Sequence, residues 1–170
     1  MRPAEPRDAR AIATCHVRTW QVTYRGQLPD DFLDELASTI EQRTRFWDRV
    51  IRAGPERGQH QLVAVDDDVV VGFVTFGPPD AASVPGAGEL YAIYLDPSHW
   101  GRGYGRALMH AAERGLAEAG FAEAYLWVLG SNARARRFYE IAGWKPDGGT
   151  KVERRGDVEL REVRYRRALR

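Results

Sequence analysis

Apolar residues recur every three or four positions through the first third of the chain, then at alternate positions or in short unbroken runs. From Pro6 to Tyr24, the residues Ala9, Ile12, Ala13, His16, Val17 and Trp20 share one stripe, which predicts an amphipathic helix. Leu28-Pro29-Asp30 interrupts it. Asp31 to Leu36 then reads as a short second helix, and Thr39 to Arg52 as a third with Ile40, Thr44, Trp47 and Ile51 on one face. Gly54-Pro55 and Gly58 mark a loop. Two strands, Gln61 to Val65 and Val69 to Phe76, flank Asp66-Asp67-Asp68, the pattern of a β-hairpin.

The segment from Gly77 to Gly88, rich in Pro, Gly and Ala, predicts a loop, and Glu89 to Leu95 a third strand. Gly103 to Ala119 predicts a helix in which Leu108, Ala112 and Leu116 fall four apart, with Gly120 as its C-terminal stop. Glu123 to Leu129 reads as a buried strand. Asn132 to Ala142 is helical, with Ala135, Phe138, Tyr139 and Ala142 on one face and Gly143 at its end. Two more strands are placed within Trp144 to Arg154 and Val158 to Arg166. Strands before, between and after helices, with no repeat and no convincing boundary, predict one α/β domain over residues 1–170 built on a single mixed sheet.

Composition narrows the function classes. The 25 basic and 24 acidic residues nearly cancel, which excludes a chain whose main task is to coat nucleic acid. Only Lys145 and Lys151 are lysines, so 23 of the 25 are arginines, a bias that fits either anion binding or codon preference. Cys15, alone, leaves no intramolecular disulfide and no cysteine-based zinc site, and no histidine has a partner at metal-ligand spacing, so no metal is expected. Met1 to Arg10 is polar, and the longest apolar run, Val69 to Phe76, is short of the ~20 residues a membrane helix needs. A soluble, cytoplasmic protein with neither a nucleic-acid nor a membrane partner is expected. The five arginines between Arg161 and Arg170, alternating with Val163 and Tyr165, are expected on a solvated strand edge.

The richest stretch for chemistry runs from Asp96 to Arg106. Gly101, Gly103 and Gly105 alternate between a buried strand and an amphipathic helix, and Arg102 and Arg106 add positive charge. Alternating glycines let backbone N–H groups approach a ligand together at a helix N-terminus, where the dipole favours anions. The stretch therefore reads as a phosphate cradle or, without a ligand, as a tight strand-to-helix connection. A P-loop would need Lys-Ser or Lys-Thr where Arg106-Ala107 stands. A dinucleotide fold would carry its glycines after the first strand, whereas here at least two strands and three helices come first.

These residues resemble the GNAT superfamily of N-acetyltransferases, whose Arg/Gln-x-x-Gly-x-Gly/Ala loop binds the pyrophosphate of acetyl-CoA. Trp100-Gly101-Arg102-Gly103-Tyr104-Gly105 matches it, with Trp100 in place of Arg or Gln. Leu95-Asp96-Pro97 matches the family's Val-x-Pro strand end. Asn132-Ala133-Arg134-Ala135-Arg136-Arg137-Phe138-Tyr139-Glu140 with Gly143-Trp144 matches its Asn-x-x-Ala-x-x-x-Tyr-Glu…Gly-Phe block. The likeness spans about Gln61 to Trp144, and the first strand is expected to be stunted or absent.

The resemblance implies a mostly antiparallel sheet with splayed central strands, acetyl-CoA as co-substrate, and direct attack by an amine in a ternary complex. It implies cofactor contacts from Ile93, Tyr94, Leu95, Gly101, Arg102, Gly103, Tyr104, Gly105, Arg106, Asn132 and Ala135, with an N–H near Ile93 facing the oxyanion. Tyr139 would be the general acid for the thiolate, or a tyrosine of the core. Glu89 stands where one branch carries its catalytic base, while Trp127 occupies the position of another branch's glutamate. Trp20, Tyr24 and Trp47 are candidates for the acceptor pocket or for the core. The acceptor would be a small-molecule or peptide amine, and a homodimer is compatible with the family. An acyl-CoA sensing module without turnover is the rival reading.

Overall fold

A computed structural model describes residues 1–79 and 84–169. It contains a seven-stranded sheet in the order β1-β2-β3-β4-β5-β7-β6. The strands are β1 Arg2–Pro3, β2 His60–Asp66, β3 Val69–Gly77, β4 Gly88–Leu95, β5 Glu123–Leu129, β6 Lys145–Arg155 and β7 Val158–Ala168. The helices are α1 Ala9–Thr23, α2 Asp30–Glu35, α3 Ile40–Ala53, α4 Tyr104–Glu118 and α5 Ala133–Ile141. All pairings are antiparallel except β4 with β5.

Each face of the sheet is covered by helices whose apolar stripes the sequence displays. Leu108, Met109, Ala112 and Leu116 of α4 are buried against Val74, Phe76, Leu90 and Leu126. The close fit is set by glycine: a Cβ on Gly88 would lie 2.6 Å from Leu116, and one on Gly115 would lie 2.6 Å from the Phe76 ring. On the opposite face, Ile12, Ala13 and Cys15 of α1 and Trp47 and Ile51 of α3 pack on Val63 and Phe73. Trp20 and Tyr24 continue α1 into a third cluster with Leu33, Leu36, Leu129 and Leu160.

Several expectations are corrected here. Pro6–Asp8 is a 3-10 turn ahead of α1, because Asp8 closes a capping box with Glu5. Gly77 ends β3 and Gly88 opens β4, while residues 80–83 of the expected loop lie outside the described residues. His60, one residue ahead of the expected strand start at Gln61, begins β2 and stacks on Phe76 at 5.3 Å. The arginine-rich strand is interior, not an edge: β7 lies between β5 and β6. Its arginines tolerate that place because each described one has a carboxylate: Arg161–Glu159, Arg164–Asp147, Arg166–Glu123 and Arg167–Glu113. Arg170 lies outside the described residues.

His16 sits inside an aromatic nest, stacked on Tyr94 at 4.5 Å and edge-on to Trp20, Trp47 and Phe73. Its Nδ1 is buried without a hydrogen-bond partner among the described residues. Burial first, then the guanidinium groups of Arg43 and Arg155, push its pKa down from 6.5 to about 3. The unfolded chain therefore binds a proton between those values that the folded chain refuses, so stability falls as pH drops through that window. Urea unfolding of wild type between pH 6.5 and 4.5 is expected to show a steeper loss than His16→Phe. Equal slopes would remove His16 from the acid response.

Candidate active site

The site begins where the two central strands part. β4 and β5 pair only at Gly88↔Ala124, Glu89↔Tyr125 and Leu90↔Leu126. Beyond these, Ala92 to Leu95 stay with β3 and Trp127 to Leu129 stay with β7. A bulge starts the separation: Phe76 faces Leu90 and Thr75 faces Ala92, which leaves Tyr91 as an extra residue that bends β4.

The Asp96 N–H donates to the Val71 carbonyl across β3 at 2.7 Å. Backbone groups alternate along an antiparallel ladder, so Tyr94 and Ala92 also turn theirs toward β3, while Ile93 and Leu95 turn theirs into the gap. The Leu95 carbonyl is engaged there by the Trp100 indole N–H at 2.9 Å and the Thr19 hydroxyl at 3.1 Å. Of the three β4 residues expected to contact the cofactor, Ile93 thus faces the gap with both backbone groups. Tyr94 offers its side chain instead. The gap opens into a cleft of about 860 Å³.

At one end of the cleft lies the glycine loop. Asp96 accepts a hydrogen bond from the Ser98 N–H at 3.0 Å and so fixes the turn after β4. Gly101 (φ +79°) and Gly103 (φ +90°) hold left-handed conformations that glycine adopts without a Cβ clash. The N–H groups of the first turn of α4 have no intrahelical acceptor, and the helix dipole makes that end positive. A Cβ on Gly101 or Gly103 would meet no protein atom within 4 Å, so the space directly over these two glycines is open. Arg102 and Arg106 line the cleft, as do Arg134 and Arg137 of α5, which sequence reasoning passed over.

Trp100 has a defined task. Its N–H is tied to Leu95, and its ring lies 3.8 Å from the Arg134 guanidinium, which it holds beside the loop. Tyr104 departs from expectation. Its side chain turns toward Asp66, whose carboxylate pushes the phenol pKa up, and it does not line the cleft, leaving only its backbone N–H for a ligand. Gly105 lines the cleft; a Cβ there would rest 3.6 Å from Phe138.

The opposite wall is the start of α5. Asn132 caps the helix, its Oδ1 accepting from the Ala135 N–H at 3.0 Å and its Nδ2 donating to the Tyr24 hydroxyl at 3.3 Å. Tyr139 is buried yet lines the cleft, and its hydroxyl makes no hydrogen bond among the described residues. Burial, then nearby Tyr94, Tyr24 and Glu162, pushes its pKa well above 10, so the phenol keeps its proton at neutral pH.

Trp20 donates to the Tyr94 hydroxyl at 2.9 Å, and Trp20, Tyr24 and Tyr94 together form an aromatic wall of the cleft. Trp47 is not part of it and belongs to the core. Glu89 lines the cleft and accepts from the Tyr125 hydroxyl at 2.7 Å, a bond that lets a carboxylate enter a buried strand. Two further carboxylates line the same cleft and were not legible from spacing: Glu162 on β7, opposite Leu129, and Glu153 on β6. Cys15 lies in the α1 core cluster, with burial pushing its thiol up to about 12, which leaves it inert. No cluster of three or more His, Cys, Asp or Glu suited to a metal occurs among the described residues, and none of the described helices is long and apolar enough to cross a membrane.

Gly103→Ala would place a methyl group in the cradle at a strained φ. Calorimetry is expected to show CoA binding weakened by about tenfold or more, about 1.4 kcal/mol. Unchanged affinity would sink the cradle assignment.

The comparisons with known proteins agree with this geometry. The model of the acetyltransferase (GNAT) family matches residues 17–144. The uncharacterized N-acetyltransferase YuaI of Bacillus subtilis is 33% identical over 135 residues, covering 78% of this chain and 72% of that protein. Mycothiol acetyltransferase of Kocuria rhizophila is 40% identical over 81 residues, 47% of this chain but only 27% of that protein. Among solved structures, PaiA N-acetyltransferase of Thermoplasma acidophilum in complex with coenzyme A superposes with a TM-score of 0.73 at 20% identity, covering 98% of this chain and 96% of that one. A split mixed sheet, a glycine cradle at a helix start and a matching family model together make this chain a member of the GNAT acetyltransferase family.

Proposed function

We propose that the cleft transfers an acetyl group from acetyl-CoA to the primary amine of a small molecule or peptide by direct attack in a ternary complex. The observation that carries this reading is that the backbone of Ile93 and the unengaged hydroxyl of Tyr139 belong to one cleft whose far end is the glycine cradle. Acetyl-CoA supplies an acetyl group activated as a thioester. The loop from Gly101 to Gly105, with Arg102, Arg106 and Arg134, holds its diphosphate, and Asn132 and Ala135 border the arm. The Ile93 N–H is aimed at the gap, where an oxyanion would form. Tyr139 holds a proton for the departing thiolate, and Glu89 takes the proton of the attacking amine.

Direct attack is favoured because Cys15, the thiol nucleophile of the chain, is buried in the α1 core cluster and does not line the gap. Mycothiol acetyltransferase and spermidine N(1)-acetyltransferase are among the relatives. Spermidine, a polyamine, is the kind of acceptor that a pocket walled by Trp20 and Tyr24 fits.

Thiol release from acetyl-CoA over a panel of amines tests the reading, with release expected for at least one class of amine. Tight CoA binding with no release from any amine would instead identify an acyl-CoA sensing module. Tyr139→Phe is expected to lower kcat by about 10²-fold or more, with little change in acetyl-CoA affinity; an unaltered kcat would remove it from the mechanism. For Glu89→Gln, the acidic limb of the pH–rate profile should vanish, and its persistence would exclude Glu89 as the base.

A further inference from the structure

One amine of the chain already sits in the cleft. Lys151 of β6 reaches across β7, and its Nζ lies 3.1 Å from Oε2 of Glu162 and 4.7 Å from the centre of the Trp127 ring. Lys151, Glu162 and Trp127 all line the cleft that holds Tyr139 and Ile93. Register explains how the lysine gets there. Lys151 pairs with Glu162 on β7, and Glu162 pairs with Leu129 on β5, in the part of β5 that has left β4. Two strand spacings of about 4.8 Å separate β6 from β5, and the lysine stem spans most of that distance to stand over Trp127, on the strand that borders the gap.

The surroundings hold the amine beside the gap: the indole face and the Glu162 carboxylate bind its ammonium form, which sheds a proton before it reacts. Glu162 Oε2 is buried and makes no aligned hydrogen bond despite its ion pair, so it has lone-pair capacity left for a proton. The other lysine, Lys145, is exposed at the start of β6 and does not line the cleft.

We propose that Lys151 is a site of self-acetylation, modified within the same molecule by the cleft it lines. This rests on the acetyltransferase reading above. Lys151 Nζ bonds to the acetyl carbon of acetyl-CoA as the carbon–sulfur bond breaks. One proton of the ammonium passes to Glu162 before attack, the thiolate takes the proton of Tyr139, and the second proton leaving the nitrogen restores Tyr139, so that the products are N-acetyl-lysine, CoA and a protonated Glu162 that returns its proton to solvent. Tethering makes the step unimolecular once acetyl-CoA is bound, so its rate does not depend on protein concentration.

The test is peptide mass spectrometry of the whole chain after timed incubation with acetyl-CoA at several protein concentrations, with Lys145 as the internal measure of uncatalysed acetylation. Lys151 is expected to gain one acetyl group (a gain of about 42 Da) at least about tenfold faster than Lys145, at a rate unchanged by dilution. Glu162→Gln should slow Lys151 and leave Lys145 as it was, and Lys151→Arg should abolish the fast site. Chain purified from producing cells should already carry part of the modification at Lys151. Equal rates at the two lysines, or a Lys151 rate that falls on dilution, would overturn the proposal. Thiol release with added amines but no mark on Lys151 would overturn it while leaving the acetyltransferase reading intact. Absence of both would end both.

Discussion

The site depends on a pair of neighbouring strands being allowed to stop pairing. A parallel ladder that ends after Leu90 leaves backbone groups of β4 without a strand partner in the middle of a sheet, which is costly unless something else satisfies them. The structure meets part of that cost itself. The Leu95 carbonyl is taken by Trp100 and Thr19, and the Asn132 side chain closes the first turn of α5 on the far bank. What is left facing the gap is the backbone of Ile93 and the Leu95 N–H, in the cleft that Tyr139 and the aromatic wall also line. The bulge at Tyr91 makes this geometry permanent, because it turns β4 away from β5 while keeping it in register with β3.

Around the gap, chemistry is sorted by face and by end. The glycine loop and the arginines of α4 and α5 make one end positive and open, suited to a diphosphate. The rest of the cleft carries phenols, indoles and three carboxylates, suited to an ammonium that must lose a proton. Trp100 shows how a departure from the family pattern is absorbed. It gives up a charged side chain at its own position but stacks the Arg134 guanidinium beside the loop, so the positive charge arrives from α5 instead. The 23 arginines thus divide into a few around the cradle and many that neutralise carboxylates along the sheet, as on β7.

Most of the elements were legible along the chain. The stripe on α1, the hairpin around Asp66 to Asp68 and the helix after the glycine loop follow from local spacing, and local spacing is what a linear reading detects. The glycine cradle and the cap at Asn132 were legible for the same reason, since each is made by residues adjacent in sequence. Glu162, Lys151 and Arg134 were not, because their roles come from neighbours on other strands and helices. The placement of β7 was misread for a related reason: an alternation of arginine with Val163 and Tyr165 is what an edge strand shows, and only the carboxylates of β5, β6 and α4 make it tolerable inside the sheet.

The sequence by itself determined the order of the elements, the apolar faces that pair them and the glycines whose φ values shape the loop, since these are set by side chains a few positions apart. It also carried the two motifs by which the family is known. Tertiary structure alone decided which backbone groups face the gap, which phenol is buried without a hydrogen bond among the described residues, and which carboxylate meets the lysine. Those outcomes turn on strand register and on a single extra residue in β4, and a shift of one residue in a strand exchanges its two faces.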